Sequence, residues 1–227
     1  MQRKATATFL GGLFAAFLLL AGAAQAETAR ELSWDSLIPK LPPYDDPFEK
    51  LSEEQFYQLG TVVYAREQKT QGRALNVTLA ERARLAEERL RKEGVDVEGL
   101  IAKRAEVRAE RERRAKAVDA TLDGKTVRMP GFVLPLEYAG KKVSEFLLVP
   151  WVGACIHTPP PAPNQIVHVR MAQGAEFESK GMYAAVWVTG VLAAKASKPT
   201  LNLVDGIADI DVGYSMQGSG IEDYKKK

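Results

Sequence analysis

The pattern of apolar residues changes abruptly at residues 122–125, where a densely charged stretch gives way to short apolar runs and turns. Upstream of this point, apolar residues spaced three and four positions apart predict helices at about 53–71, 79–93 and 97–118. Downstream of it, apolar and alternating runs predict strands at 126–136, 143–149, 165–171, 184–194 and 207–216. Asp123-Gly124 at the boundary is typical of a tight turn. This order predicts an α+β fold in which the helices come first.

The strand region has the size and pattern of a small closed sheet. Five strands in roughly 95 residues fit an OB-like β-barrel, with a split α+β sheet as the alternative. The run 183–193 is apolar on both of its alternating faces, which indicates a strand covered on both sides. Gly131 and Gly190 fall where a barrel strand must bend or bulge.

The helical region carries its own start signals. Ser52 with Gln55 and Thr78 with Glu81 match capping boxes, and Asp96 can cap the third helix. The second and third helices therefore form a charged helical hairpin, whose last arm is polar nearly all round. Such an arm is either exposed and stabilised by Glu–Arg pairs, or it docks a partner protein through its alanines.

The N-terminal end of the sequence predicts export. Residues 1–26 have a basic start, an apolar core too short for a membrane span and a small-x-small cleavage pattern, which together indicate a signal peptide. We therefore expect a periplasmic protein with no stable membrane span after cleavage. The expected layout is an extended proline-rich segment at 27–51 that docks Trp34, Leu37 and Ile38, a helical region at 52–121, the barrel at 122–220 and a basic, frayed tail at 221–227.

The charge balance argues against one class of partner. The 31 Lys and Arg residues nearly offset the 29 Asp and Glu residues, so the formal net charge is only +2. Proteins that bind nucleic acid usually carry a strong basic excess. We therefore expect no nucleic-acid partner.

All the soft metal ligands of the chain lie within fourteen positions, at Cys155, His157 and His168. Cys155 and His157 stand two apart, so in extended backbone they project from the same face. Thiolate and imidazole together suit zinc or copper. His168 is the predicted third ligand, and Glu137, Asp209 or Asp211 could complete the site.

Four prolines stiffen the loop around this pair, namely Pro159, Pro160, Pro161 and Pro163. They could also present a docking surface for a partner. Asn164 and Gln165 are predicted to orient His157 or to bond the unpaired carbonyls of the loop. Two other hypotheses stay open. Cys155 could be a buried structural residue beside a hydrogen-bonded histidine, or it could perform thiol chemistry, which would require a lowered cysteine pKa.

Several motifs are similar to those of a known family. They are residues 34–39, 122–125, 131–136, 146–150, 153–157, 159–165 and 186–190. Together they resemble the family named domain of unknown function 3299, which consists of exported bacterial proteins. The resemblance implies an association with transport systems of the macrolide-exporter type and, in some cases, with zinc-responsive genes. It carries over Cys155, His157, Asn164 and Gln165 as motif positions; His168 is not among them, and Ala162 replaces a further proline.

These observations lead to one favoured hypothesis and one alternative. The favoured hypothesis is an exported, non-enzymatic accessory protein that binds zinc through the Cys155–His157 loop and serves an envelope ABC transport system. The alternative is a metal-free periplasmic interaction module that docks onto a transporter through the proline loop and the helical hairpin.

Overall fold

The computed structural model describes residues 28–155, 158–179, 181–203 and 206–225. The predicted signal peptide at 1–26 lies outside these residues. Within them the chain forms three helices followed by a closed five-stranded barrel. The predicted α+β class, with helices preceding an OB-like barrel, is confirmed. None of the helices in these ranges is long and apolar enough to cross a membrane.

The three helices begin close to their predicted positions. They are α1 (Glu53–Thr70), α2 (Val77–Lys92) and α3 (Val97–Lys116). The capping box of α1 is confirmed, because the Gln55 N–H donates to Ser52 Oγ at 3.2 Å and the Ser52 N–H donates to Gln55 Oε1 at 3.0 Å. Asp96 caps α3 by accepting from the Gly99 N–H at 2.9 Å.

The predicted capping box of α2 is wrong. Asn76, two residues before Thr78, accepts a hydrogen bond from the Leu79 N–H at 2.7 Å and becomes the cap. Asparagine is at least as good a cap as threonine. The helix therefore begins at Val77, which places Thr78 inside its first turn.

A small apolar core and a set of ion pairs hold the helices together. The core consists of buried residues from all three helices, namely Leu59, Val62, Val63, Leu90, Val97 and Leu100. Helix α2 packs mainly on α1. Helix α3 is joined to α1 by Arg66–Glu98 at 2.6 Å and Arg104–Glu67 at 2.7 Å. Glu110 pairs with two arginines one turn away, so the last arm is stabilised as the charged sequence predicts.

The barrel has the strand order of an OB fold. The strands of the chain are β1 (Arg30–Glu31), β2 (Thr126–Ala139), β3 (Lys142–Val149), β4 (Val167–Met171), β5 (Ala184–Ala193), β6 (Thr200–Leu203), β7 (Gly206–Asp209) and β8 (Tyr214–Asp223). The order β2-β3-β4-β8-β5 closes through pairing of β5 with β2. Only the β4–β8 pair of the ring is parallel. Strand β1 pairs with the start of β2, and β6 and β7 form a separate hairpin.

The last barrel strand lies further along the chain than predicted. Residues 207–209 belong to the β6–β7 hairpin, and the strand that closes the barrel is β8. Pairing also continues past residue 220, because the Tyr224 N–H donates to the Ala185 carbonyl at 2.9 Å. The Tyr224 ring stacks on Trp187 with 5.8 Å between centroids. The tail is therefore not frayed at 221–224.

Two positions in the barrel require glycine because neighbouring atoms leave no room for a Cβ. At Gly190 the β5–β8 register shifts, and an added Cβ would lie 2.4 Å from the Gln217 carbonyl oxygen. The predicted bulge is confirmed there. At Gly131 an added Cβ would lie 2.7 Å from Leu148 and 2.9 Å from the Trp34 ring. Gly131 thus makes room for a side chain from the N-terminal segment.

The proline-rich segment joins the barrel to the helices. Leu37 is fully buried in the barrel core and Trp34 packs against the same core. Ile38 is half exposed, so its predicted docking is wrong. Beyond it the segment runs beside α3, where Arg114 donates to the Pro42 carbonyl at 2.5 Å. Asp46, which is nearly buried, pairs with Arg111 at 2.6 Å.

A second core lies on the outside of the barrel. It forms where β2, β3 and the residue before β4 meet residues 194–203 and 206–213, which we name the cover. Its fully or nearly fully buried members are Leu134, Leu147, Val149, Ala154, Ile166, Leu201, Ile210 and Val212. The chain between the fourth and fifth barrel strands thus folds back over the β3–β4 face.

Candidate functional site

The loop between β3 and β4 holds Cys155 in an unusual backbone conformation. Cys155 has φ 68°, and the one other non-glycine residue with positive φ in the described ranges is Tyr183, at 61°. Both residues pack against the second core, and the Tyr183 hydroxyl donates to the carbonyl of Ala154, the residue before Cys155, at 2.7 Å. A non-glycine residue in the left-handed region costs about 1–3 kcal/mol and is frequent at functional sites. The strain marks this end of the barrel as a candidate site.

The Cys155 thiol is protonated at neutral pH. Burial raises the pKa of Cys155 to about 11. Thiol catalysis requires the opposite direction, because the thiolate is the nucleophile. A metal could still bind, but it would have to displace the proton. The raised pKa of Cys155 therefore gives no support to thiol chemistry.

The predicted partner of Cys155 lies outside the described residues. His157 is not described, so the Cys155–His157 pair stays a prediction. Within 28–155, 158–179, 181–203 and 206–225 there is no group of three or more His, Cys, Asp and Glu residues that could hold a metal.

His168 is occupied by contacts at the seam between barrel and cover. Its side chain is nearly buried, with Nε2 2.5 Å from Glu145 Oε1 and Nδ1 3.4 Å from Ser197 Oγ. Burial lowers the pKa of His168, although Glu145 opposes this shift. A metal at either ring nitrogen would have to replace one of these contacts. The role of His168 as a third ligand stays a prediction.

The three carboxylates proposed to complete the site have other surroundings. Asp209 accepts a hydrogen bond from Thr200 at 2.9 Å, and Asp211 lies 3.5 Å from Lys198. Glu137 is exposed on β2.

Asn164 and Gln165 fasten the barrel to the rest of the chain. Asn164 Nδ2 donates to the carbonyls of Arg114 and Ala117, both at 3.0 Å, at the end of α3. Gln165 Nε2 donates to the Trp34 carbonyl at 3.0 Å. These amides therefore bind backbone carbonyls of the junction. Their predicted support of His157 stays a prediction.

The prolines of the loop differ in exposure. Pro159 and Pro160 are exposed, Pro163 is partly buried and Pro161 is buried. The Pro163 carbonyl accepts a hydrogen bond from the Gly213 N–H at 2.7 Å, which ties the loop to the end of the cover. Only the first half of the proline run can thus present a surface.

Sequence reasoning missed a groove between α1 and α2. It has a volume of about 1220 Å³ and exposes Phe56, Tyr57, Tyr64 and Leu85, whose exposed fractions are 55%, 72%, 52% and 50%. Phe56 fits the helical periodicity of the core, but it lies outside that core. The signal in the sequence is a second apolar set on α1, with Tyr57 and Tyr64 seven residues apart and so on one face.

Arginines line the same groove. Arg89 pairs with Glu54 at 3.0 Å and Arg111 pairs with Asp46. Arg82 also lines the groove, and no ion pair engages it in the part of the chain that the structure describes. The groove therefore combines exposed aromatic rings with Arg82, whose guanidinium has no carboxylate partner among the described residues.

Comparison with known proteins places the chain in a family. A family model described as "Protein of unknown function (DUF3299)" matches residues 34–223. The chain belongs to this family. The crystal structure of a DUF3299 family protein from Pseudomonas aeruginosa PAO1, at 2.45 Å resolution, is 25% identical to it. The alignment covers 88% of this chain and 98% of that one, with a TM-score of 0.46. No curated protein matches this DUF3299 member significantly.

Proposed function

We propose that this protein is an exported, non-enzymatic accessory that docks onto a component of an envelope ABC transport system. The observation that carries the proposal is a contrast between two surfaces. The face of the barrel that OB folds use for ligands is covered by the chain itself, whereas the aromatic groove of the helices is open.

The covered face argues for docking through the helices. OB folds bind their ligands on the face of the second and third barrel strands, with help from the loop between the fourth and fifth. In this protein those strands are β3 and β4, and that loop is the cover. Leu147 and Val149 project from β3 into the second core, where Leu201 and Val212 of the cover bury them. A ligand on this face would have to displace a packed apolar core.

The open groove argues for a protein partner. Exposed aromatic residues that cluster around a concave surface mark interaction sites, and aromatic residues dominate the energy of such sites. Tyr57 is the most exposed of the four large apolar side chains that the groove leaves exposed. The transport partner is supported by the association that the family resemblance implies.

The proposal is tested by photo-crosslinking in cells. A photoreactive residue at Tyr57 should crosslink to a component of an envelope transporter, and the same residue at Ile207 should not. Ile207 is 75% exposed on β7 and therefore controls for exposure. The purified component should then bind wild-type protein and lose at least tenfold affinity for the Tyr57→Ser, Tyr64→Ser double variant. Equal crosslinking at both positions, or equal affinity, would overturn the proposal.

A second candidate function is zinc binding at the Cys155–His157 loop. The left-handed conformation of Cys155, next to the Ala154 carbonyl that Tyr183 binds, favours a role for this loop beyond connection. The test is elemental analysis of the mature protein, purified without an affinity metal, beside Cys155→Ser and His157→Ala. Near-stoichiometric zinc that both variants lose would support the site. Absence of metal from every sample, even after zinc is added under reducing conditions, would refute zinc binding at this loop.

A further inference from the structure

The α1–α2 groove has a shape and a charge distribution that define its occupant more closely. We propose that it binds an amphipathic helix of the partner, with an acidic side chain of that helix placed against Arg82. This inference rests on the proposed docking function and names the chemistry of the partner.

The spacing of the anchors fits a helix. Tyr57 and Tyr64 are seven residues apart on α1, so their Cα atoms are separated by roughly 10 Å along the helix axis. A partner helix that runs along the groove repeats its apolar residues at the same interval of two turns. Gly60 lies between the two tyrosines, and nothing lies within 4 Å of the place where its Cβ would be. This low point allows the backbone of a helix to approach α1.

The opposite wall supplies apolar contact and charge. Leu79, Leu85 and Ala86 of α2 line the groove beside the α1 aromatics. Arg82 stands among them with no ion pair to any residue that the structure describes, in contrast to Arg84, which Glu81 binds at 2.8 Å. A carboxylate on the partner would give Arg82 the pairing that its neighbour already has.

Two other occupants fit less well. A membrane surface is flat, whereas this site is concave and holds about 1220 Å³. A second copy that packed groove to groove would bring a second Arg82 to this surface, so an acidic partner helix is favoured.

The test uses the full chain and two fluorescent synthetic helical peptides. Both carry leucines at positions i, i+4 and i+7; one has glutamates beside them and the other has lysines at the same positions. The glutamate peptide should bind roughly fivefold more tightly, because exposed ion pairs are individually weak. This preference should shrink at high salt. It should reverse in Arg82→Glu, and Tyr57→Ser with Tyr64→Ser should abolish binding of both peptides.

The matched control is Ile207→Ser, which should leave both affinities unchanged. Equal affinity for the two peptides, or a preference that Arg82→Glu leaves intact, would overturn the inference. So would a dimer in sedimentation that Tyr57→Ser with Tyr64→Ser dissociates, or tighter binding to vesicles of anionic lipid than to either peptide. If crosslinking at Tyr57 still yields a transporter component while no peptide binds, the inference fails and the docking function stands.

Discussion

Replacing Asn164 with alanine should weaken the attachment of the helices to the barrel and lower the free energy of unfolding. Asn164 is nearly buried, and its amide donates to two carbonyls at the end of α3. The Arg114 carbonyl keeps the Ala117 N–H, at 3.3 Å, as a second partner. The Ala117 carbonyl has no other hydrogen bond in the described ranges. Loss of one shared and one sole hydrogen bond in a buried place should cost about 2 kcal/mol.

The measurement is urea unfolding followed by two signals. The three tryptophans, Trp34, Trp151 and Trp187, all lie in or against the barrel part, whereas circular dichroism at 222 nm reports mainly the helices. With a urea slope of about 2 kcal/mol per molar, the helical midpoint of Asn164→Ala should fall by roughly 1 M. The fluorescence midpoint should fall less, so that the two transitions separate.

Two further variants make the Asn164 prediction sharp. Asn202→Ala, at an exposed position on β6, should leave both midpoints within roughly 0.2 M of wild type. Asn164→Asp keeps the shape but turns a carboxylate toward two carbonyls, so it should destabilise more than alanine at neutral pH. A loss below about 0.5 kcal/mol in Asn164→Ala, with coincident transitions, would refute the view that this amide couples the two parts.

Three more predictions follow from single contacts. Gly190→Ala should lower the free energy of unfolding by about 2 kcal/mol or more in thermal melts, because its Cβ would lie 2.4 Å from the Gln217 carbonyl. Alkylation of Cys155 should accelerate about tenfold per pH unit from pH 7 to pH 10, because burial raises its pKa to about 11; a plateau below pH 9 would contradict this. Burial opposes ionisation of Asp46, but the hydrogen bond and charge of Arg111 and the hydrogen bonds from the Phe48 and Glu49 N–H groups together outweigh it, so the pKa is lowered from 3.8. Ionised Asp46 therefore stabilises the fold above about pH 4 and loses this effect as the pH falls through its lowered pKa, so unfolding of Asp46→Asn by urea should depend less on pH in that window.

Local signals in the sequence located most elements of the fold. The capping box at Ser52 and the cap at Asp96 need only contacts within one turn, and both form. Asn76 displaced the expected cap of α2 because two competent residues lie two positions apart and asparagine caps at least as well as threonine. The bulge at Gly190 could also be inferred, since a glycine inside an apolar strand has few other uses.

What the sequence could not show is pairing over long distances. Gly213 directly precedes β8, and an added Cβ there would lie 3.0 Å from Asn164 Cα, so this close approach joins residues far apart in the chain. The exposure of Phe56 likewise depends on which face of α1 meets α2 and α3. Periodicity shows that a helix has an apolar stripe, but it cannot show that a second aromatic face remains uncovered.

The motif positions that suggested a chemical site divide into two groups once their contacts are known. Gly131 accommodates the Trp34 ring, and Gln165 binds the Trp34 carbonyl. Asn164 binds two carbonyls at the end of α3. These positions therefore build one junction between the N-terminal segment, the helices and the barrel. A requirement for this junction explains them without any ligand. Cys155 is different, because its thiol makes no hydrogen bond in the described ranges and its backbone is strained. The case for chemistry at the barrel end therefore rests on Cys155 and on what His157 adds to it, whereas the case for partner binding rests on the helices.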